Sequence, residues 1–107
     1  LWRESLPEES MKKEEIEEVI ITAYNDYLKE QDIEGEGNSD TILLGRESEV
    51  DSMGLVNLIM DIEGYFHDRG YMITLPYEES MAVENSPFRT VTRLTDFISE
   101  LIEKVPK

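Results

Sequence analysis

Residues 51–67 read DSMGLVNLIMDIEGYFH, and this stretch predicts a helix that begins near Ser52 and ends near His67. Its apolar residues recur every three or four positions, which places them on one face of a helix. Asp51 or Ser52 can cap its start, and the Arg-Gly pair at 69–70 can close its end. The buried stripe is expected to contain Leu55, Ile59, Ile62 and Phe66, broadened by Met53, Val56 and Met60.

Two further segments show the same helical spacing. One covers about residues 11–29, with Ser10 as a plausible N-cap, and the other starts near Val91 or Thr92. The expected buried faces are Ile16, Val19, Ile20, Ala23, Tyr24 and Tyr27 in the first segment, and Leu94, Phe97, Ile98, Leu101, Ile102 and Val105 in the last.

The connections between these helices differ in character. Residues 31–51 form a long polar loop, but its apolar part, 41–45, is expected to pack on the helices and pin the loop. Residues 71–75 have strand-like composition without a convincing partner strand, so they are expected to cross the core as an extended segment, and residues 78–85 hold a possible short helix. The fold predicted is an all-α, three-to-four-helix bundle: a flexible leader over 1–10 and one domain over 11–107.

Composition narrows the function. The chain has 107 residues, no Cys, a single His and a net charge of −15. Disulfides, thiolate metal sites and multi-His centres are therefore excluded, and a nucleic-acid partner is disfavoured because phosphates would be repelled. No apolar run is long enough to span a membrane, and residues 1–4 do not resemble a secretory signal. We therefore expect a soluble, cytoplasmic monomer. Its negative charge favours partner proteins whose binding surfaces are basic.

Ser52 is the main candidate for chemistry. A hydroxyl at a helix start lies near unpaired backbone N–H groups and a partial positive charge, which together favour a phosphate. Asp51 beside it could orient the loop or a modifying enzyme's metal ion. On physical grounds alone, an Asp-Ser pair at this place is more often only a helix cap.

The wider pattern resembles a known family. Asp51-Ser52-Met53 is similar to the Asp-Ser-Leu signature of acyl and peptidyl carrier proteins, and residues 51–66 follow that family's motif and second helix. Residues 41–45 and 90–98 resemble the segments that precede the motif and open the last helix. The resemblance covers about residues 11–105.

The resemblance implies a carrier without catalytic residues. Ser52 would receive a 4'-phosphopantetheine arm from coenzyme A through a phosphopantetheinyl transferase, with Asp51 and Met53 beside the attachment point. The arm would hold an acyl or aminoacyl thioester, loaded by a ligase and delivered to downstream enzymes with basic docking surfaces. Fatty acyl, polyketide, aminoacyl and small-acid cargoes all remain open. Candidates for sheltering the cargo are Val56, Ile59, Met60 and Ile73, although ordinary core packing is the alternative for each.

Departures from the family pattern point to a specialised carrier. Gly54 and Asn57 are neutral where fatty acid carriers typically place acidic docking residues. The nearby acids Glu49, Asp51, Asp61 and Glu63 could take over part of this docking role. Gly54 and Asn57 stay docking candidates by their position. The competing interpretation is an unmodified acidic interaction module in which Ser52 is only a cap. A calcium loop at 32–43 is disfavoured because the twelfth position holds Leu43, so no metal is expected.

Overall fold

A computed structural model of the chain describes residues 12–76 and 86–104, and within them the protein is all-α. Across these two ranges no strand forms, and the only sheet-like feature is an isolated antiparallel bridge between Ile42 and Thr90. The prediction of three substantial helices is confirmed. They are α1 (Lys13–Glu30), α2 (Ser52–Asp68) and α3 (Val91–Lys104).

The start of α1 differs from the prediction. The N-cap is Lys12, whose backbone N–H donates to Glu15 Oε1 at 3.0 Å, so Ser10 as the cap was wrong. Glu15 thus satisfies the cap's N–H and places negative charge in the first turn, where it stabilises the helix dipole. The expected leader over 1–10, the short helix over 78–85 and Val105 lie outside the described residues.

Two helices end with a residue of left-handed backbone conformation, Asp32 after α1 (φ 59°) and Gly70 after α2 (φ 93°). The following N–H group then donates to a carbonyl five residues back, as in a Schellman motif. These bonds join Ile33 to Leu28 and Tyr71 to Phe66, each at 2.9 Å. The predicted stop at residues 69–70 is confirmed.

Helix α1 packs against both α2 and α3 and carries the centre of the core. The predicted stripe of α2 is buried, and Leu58 joins it. In α3, Leu94, Ile98 and Ile102 are buried, whereas Phe97 and Leu101 are only partly buried. The expected broadening of the α2 stripe is wrong, because Met53, Val56 and Met60 face solvent. Among the described residues, α1 and the segments beside it cover the opposite side of α2 and leave this face open.

The long first loop is pinned by its apolar part, as predicted. Leu43 is fully buried, and its N–H donates to the Arg89 carbonyl at 2.8 Å. The Val91 N–H in turn donates to the Thr41 carbonyl at 3.0 Å. The loop is therefore attached to the start of α3.

Residues 71–76 form the extended segment that the sequence predicts. Their side chains alternate between core and solvent, with Tyr71, Ile73 and Leu75 buried. Two side chains of α2 hold this segment: Glu63 accepts from the Leu75 N–H, and His67 Nε2 lies 2.8 Å from the Ile73 carbonyl oxygen. Side-chain bonds thus replace the missing partner strand. His67 thus joins the end of α2 to this segment.

Candidate functional site at the start of α2

Ser52 is the first residue of α2 and follows directly on the long loop. Asp51 is the N-cap: its backbone is extended, and its Oδ1 accepts from the Gly54 N–H at 2.7 Å. The first intrahelical bond runs from the Leu55 N–H to the Asp51 carbonyl at 2.8 Å. Asp51 is itself exposed. The predicted helix start is confirmed, with Asp51 and not Ser52 as its cap.

The loop that leads to Ser52 is held by hydrogen bonds on both sides of residue 48. Ser48 Oγ donates to the Leu43 carbonyl at 2.9 Å and accepts from the Val50 N–H at 2.9 Å. Arg89 donates to the Leu44 carbonyl and pairs with Glu47 at 3.5 Å. The segment that presents Ser52 is therefore fixed to the core and to the segment before α3.

Tyr27 of α1 lies directly against the first turn of α2. A Cβ atom placed on Gly54 would come within 2.7 Å of Tyr27 Cζ and 2.8 Å of Cε1, closer than real contacts allow. Gly54 is buried beneath this ring. The space beside Gly54 is thus occupied by the chain's own Tyr27, and Gly54 presents no side chain to a partner.

Tyr24, one turn earlier on α1, packs beside the loop. It is 5 % exposed, and a Cβ atom on Gly37 would lie 2.7 Å from its ring. Burial, together with the negative charge of Glu49 and the neighbouring Tyr27, raises the pKa of Tyr24 above its usual value. The helical spacing of α1 predicts both tyrosines only as core residues. The available signal was the pair of glycines, 37 and 54, at which a side chain would collide with these rings.

The four residues predicted to shelter a cargo lie in two different environments, the core and the exposed face of α2. Ile59 and Ile73 belong to the main core, being 5 % and 1 % exposed. Val56 and Met60 lie on the outer face of α2 with Met53, and they are 40 %, 62 % and 77 % exposed. A cavity of about 510 Å³ lies between α1 and α2, but none of these residues lines it. Their role in sheltering a cargo stays a prediction.

The predicted docking residues also have different surroundings. Glu49 and Asn57 are exposed, with Glu49 close enough to Tyr24 to affect its pKa. Asp61 is exposed and lines the cavity between α1 and α2. Glu63 is partly buried because its carboxylate binds the backbone of residue 75. Docking at these positions stays a prediction.

Comparisons with known proteins found no similar protein. No protein-family model, no curated protein and no solved structure matches the chain. In the described part of the chain, no group of three or more acidic, His or Cys side chains is arranged to hold a metal ion. Nor is any helix in that part long and apolar enough to cross a bilayer.

Proposed function

We propose that the protein is an acyl carrier whose Ser52 bears a 4'-phosphopantetheine arm. The observation that carries the proposal is the place of Ser52, the first residue of α2, directly after an exposed Asp51 that caps the helix. A helix N-terminus stabilises the negative charge of a phosphodiester through its free N–H groups and dipole. We propose with it that the three helices form a carrier-like bundle and that the protein is a cytoplasmic monomer.

The modification would add a thiol, a group that no side chain of this sequence supplies. The Ser52 hydroxyl oxygen would bond to the phosphorus of coenzyme A that carries the pantetheine, while adenosine 3',5'-bisphosphate leaves and the hydroxyl proton passes to a base of the transferase. The chain has no Cys, so the thiol that holds an acyl group must come from the arm. The exposed loop end and the acidic net charge of −15 suit docking on basic enzymes.

Intact mass spectrometry tests the modification. The chain is incubated with coenzyme A, Mg²⁺ and a broad-specificity phosphopantetheinyl transferase, and a gain of one phosphopantetheinyl group is expected. A thiol reagent should then detect one thiol per chain, and none before treatment. Ser52→Ala should abolish both signals, whereas Ser39→Ala, in the same loop, should retain them. An unmodified wild-type chain, or an adduct that survives Ser52→Ala, rejects the proposal.

One observation favours the rival function, an unmodified interaction module. Met53, Val56 and Met60 form an exposed apolar strip on α2, and such faces commonly bind partners. The module predicts partner binding that does not change with Ser52→Ala and a native chain without an arm. Intact mass of the protein purified from its own cells separates the two functions, because only the carrier acquires the added mass.

A further inference from the structure

A groove between α1 and α2 lies away from the outer face of α2. Its floor is apolar: Ile62 is fully buried, and Val19 and Ala23 are partly buried. Its volume of about 510 Å³ is enough to take several large side chains. The surface is therefore an open groove with an apolar strip along its floor and polar sides.

The rim of the groove is acidic. Five exposed carboxylates surround the floor, and no Lys, Arg or His is among the described residues that line it. Among the described residues, the ion pairs lie elsewhere, between Lys13 and Asp96 and between Arg89 and Glu47. The rim therefore keeps its negative charge available for an external cation. Its carboxylates are those of Glu15, Glu18, Asp26, Glu30 and Asp61.

The aromatic ring on the α2 side of the groove, that of Tyr65, contacts a positively charged side chain. Tyr65 lines the groove, and the Arg69 guanidinium carbon lies 4.7 Å from the centre of its ring. This distance is that of a cation–π interaction. The Tyr65 ring is thus already in contact with the chain's own Arg69, and the carboxylate rim is the part of the groove left for a partner's cations.

We propose that this groove binds a basic amphipathic helix of a partner protein. The lining residues of α1 run from Glu15 to Glu30, a length of about 22 Å at the helical rise, which matches four turns of a guest helix. Apolar side chains of the guest would lie on Val19 and Ala23, and its Lys and Arg residues would meet the carboxylate rim. A second copy of this chain is disfavoured because each copy carries a net charge of −15. The proposal does not depend on modification of Ser52.

Titration calorimetry with a synthetic 18-residue amphipathic helix of Leu, Ala, Lys and Arg tests the groove, with a scrambled peptide of equal composition as the control. The double variant Asp26→Asn with Asp61→Asn should weaken peptide binding about fivefold. The matched variant Glu100→Gln with Glu103→Gln removes the same charge from exposed positions of α3 and should change the affinity less than twofold. Ser52→Ala should leave the affinity unchanged, which separates this test from that of the carrier function.

Nuclear magnetic resonance of the wild-type chain gives a second readout that needs no variant. Amide shifts on peptide addition should concentrate in residues 15–30 and 61–65. Equal weakening by both double variants would reveal a general charge effect and overturn the proposal. So would equal binding of the scrambled peptide, amide shifts centred on the Met53–Met60 face, or sedimentation that shows the chain pairing with itself through the groove.

Discussion

Gly54 and Gly64 form a matched pair for testing how α1 constrains the start of α2. Both lie within the same helix, but a Cβ atom on Gly54 would collide with the Tyr27 ring, whereas one on Gly64 meets nothing within 4 Å. Gly64→Ala should stabilise the protein, and Gly54→Ala should not. The prediction isolates the contact, because any gain in helix propensity is common to both variants.

The magnitudes follow from two opposing terms. Alanine is favoured over glycine in a helix interior by about 1 kcal/mol, so Gly64→Ala should raise the free energy of unfolding by roughly 0.5–1 kcal/mol. At Gly54 the same gain is offset by overpacking against Tyr27, which costs about 1–3 kcal/mol. Gly54→Ala should therefore leave stability unchanged or lower it by up to about 2 kcal/mol, and melt at least roughly 4 °C below Gly64→Ala.

Urea denaturation followed by circular dichroism measures both free energies. Removing the ring gives the control: on a Tyr27→Ala background, Gly54→Ala should become stabilising like Gly64→Ala. If Gly54→Ala stabilises the wild-type chain as much as Gly64→Ala does, the contact between α1 and the first turn of α2 is not a constraint. The account of Gly54 given above would then be wrong.

Three further predictions concern the loop, the extended segment and pH. Asp32→Gly should raise the free energy of unfolding by about 0.5–1 kcal/mol in urea denaturation, because Asp32 has a φ of 59° and its charge lies at the negative end of α1. Asp32→Ala removes the charge but keeps a side chain at positive φ, so it should stabilise the protein less. Glu63→Ala should speed hydrogen exchange of the Leu75 amide by removing its acceptor, while Glu100→Ala, at an exposed position, should leave that rate unchanged. The raised pKa of Tyr24 means that above about pH 10 the unfolded chain ionises first, so stability is complete below that pH and falls as pH rises through the folded pKa. Tyr24→Phe should make this alkaline loss shallower in denaturation series at several pH values, and an equally steep loss would count against the assignment.

The helices were predictable because their signals are local. The start of α2 rests on the bond from the Gly54 N–H to Asp51, three residues away, and its end on the αL conformation of Gly70. The prediction missed where the signal was weak: Ser10 was chosen as a cap on residue type, but α1 begins at Lys13. Apolar periodicity also could not show that Met53 and its neighbours on α2 would face solvent, since a stripe indicates a face and not what covers it.

The surroundings of Ser52 were predictable only in part. Its position at a helix start follows from residues 51–55, which bond to one another. The contact of Tyr27 with Gly54 joins residues 27 positions apart. The bond from Leu43 to Arg89 joins residues 46 apart in the chain. A glycine such as Gly54 leaves room for a close neighbour, but residue type does not identify that neighbour, because it depends on how the helices cross.

Features that depend on residues close in sequence were predictable, and features that depend on residues distant in sequence were not. The bounds of α2 and its N-cap depend on neighbours within about one turn, so the order of residues is enough to predict them. The acidic groove, the ring over Gly54 and the support of residues 71–76 depend on packing between distant segments. Only the folded arrangement brings α1 beside α2, and with it the Tyr27 ring onto the turn that begins at Ser52.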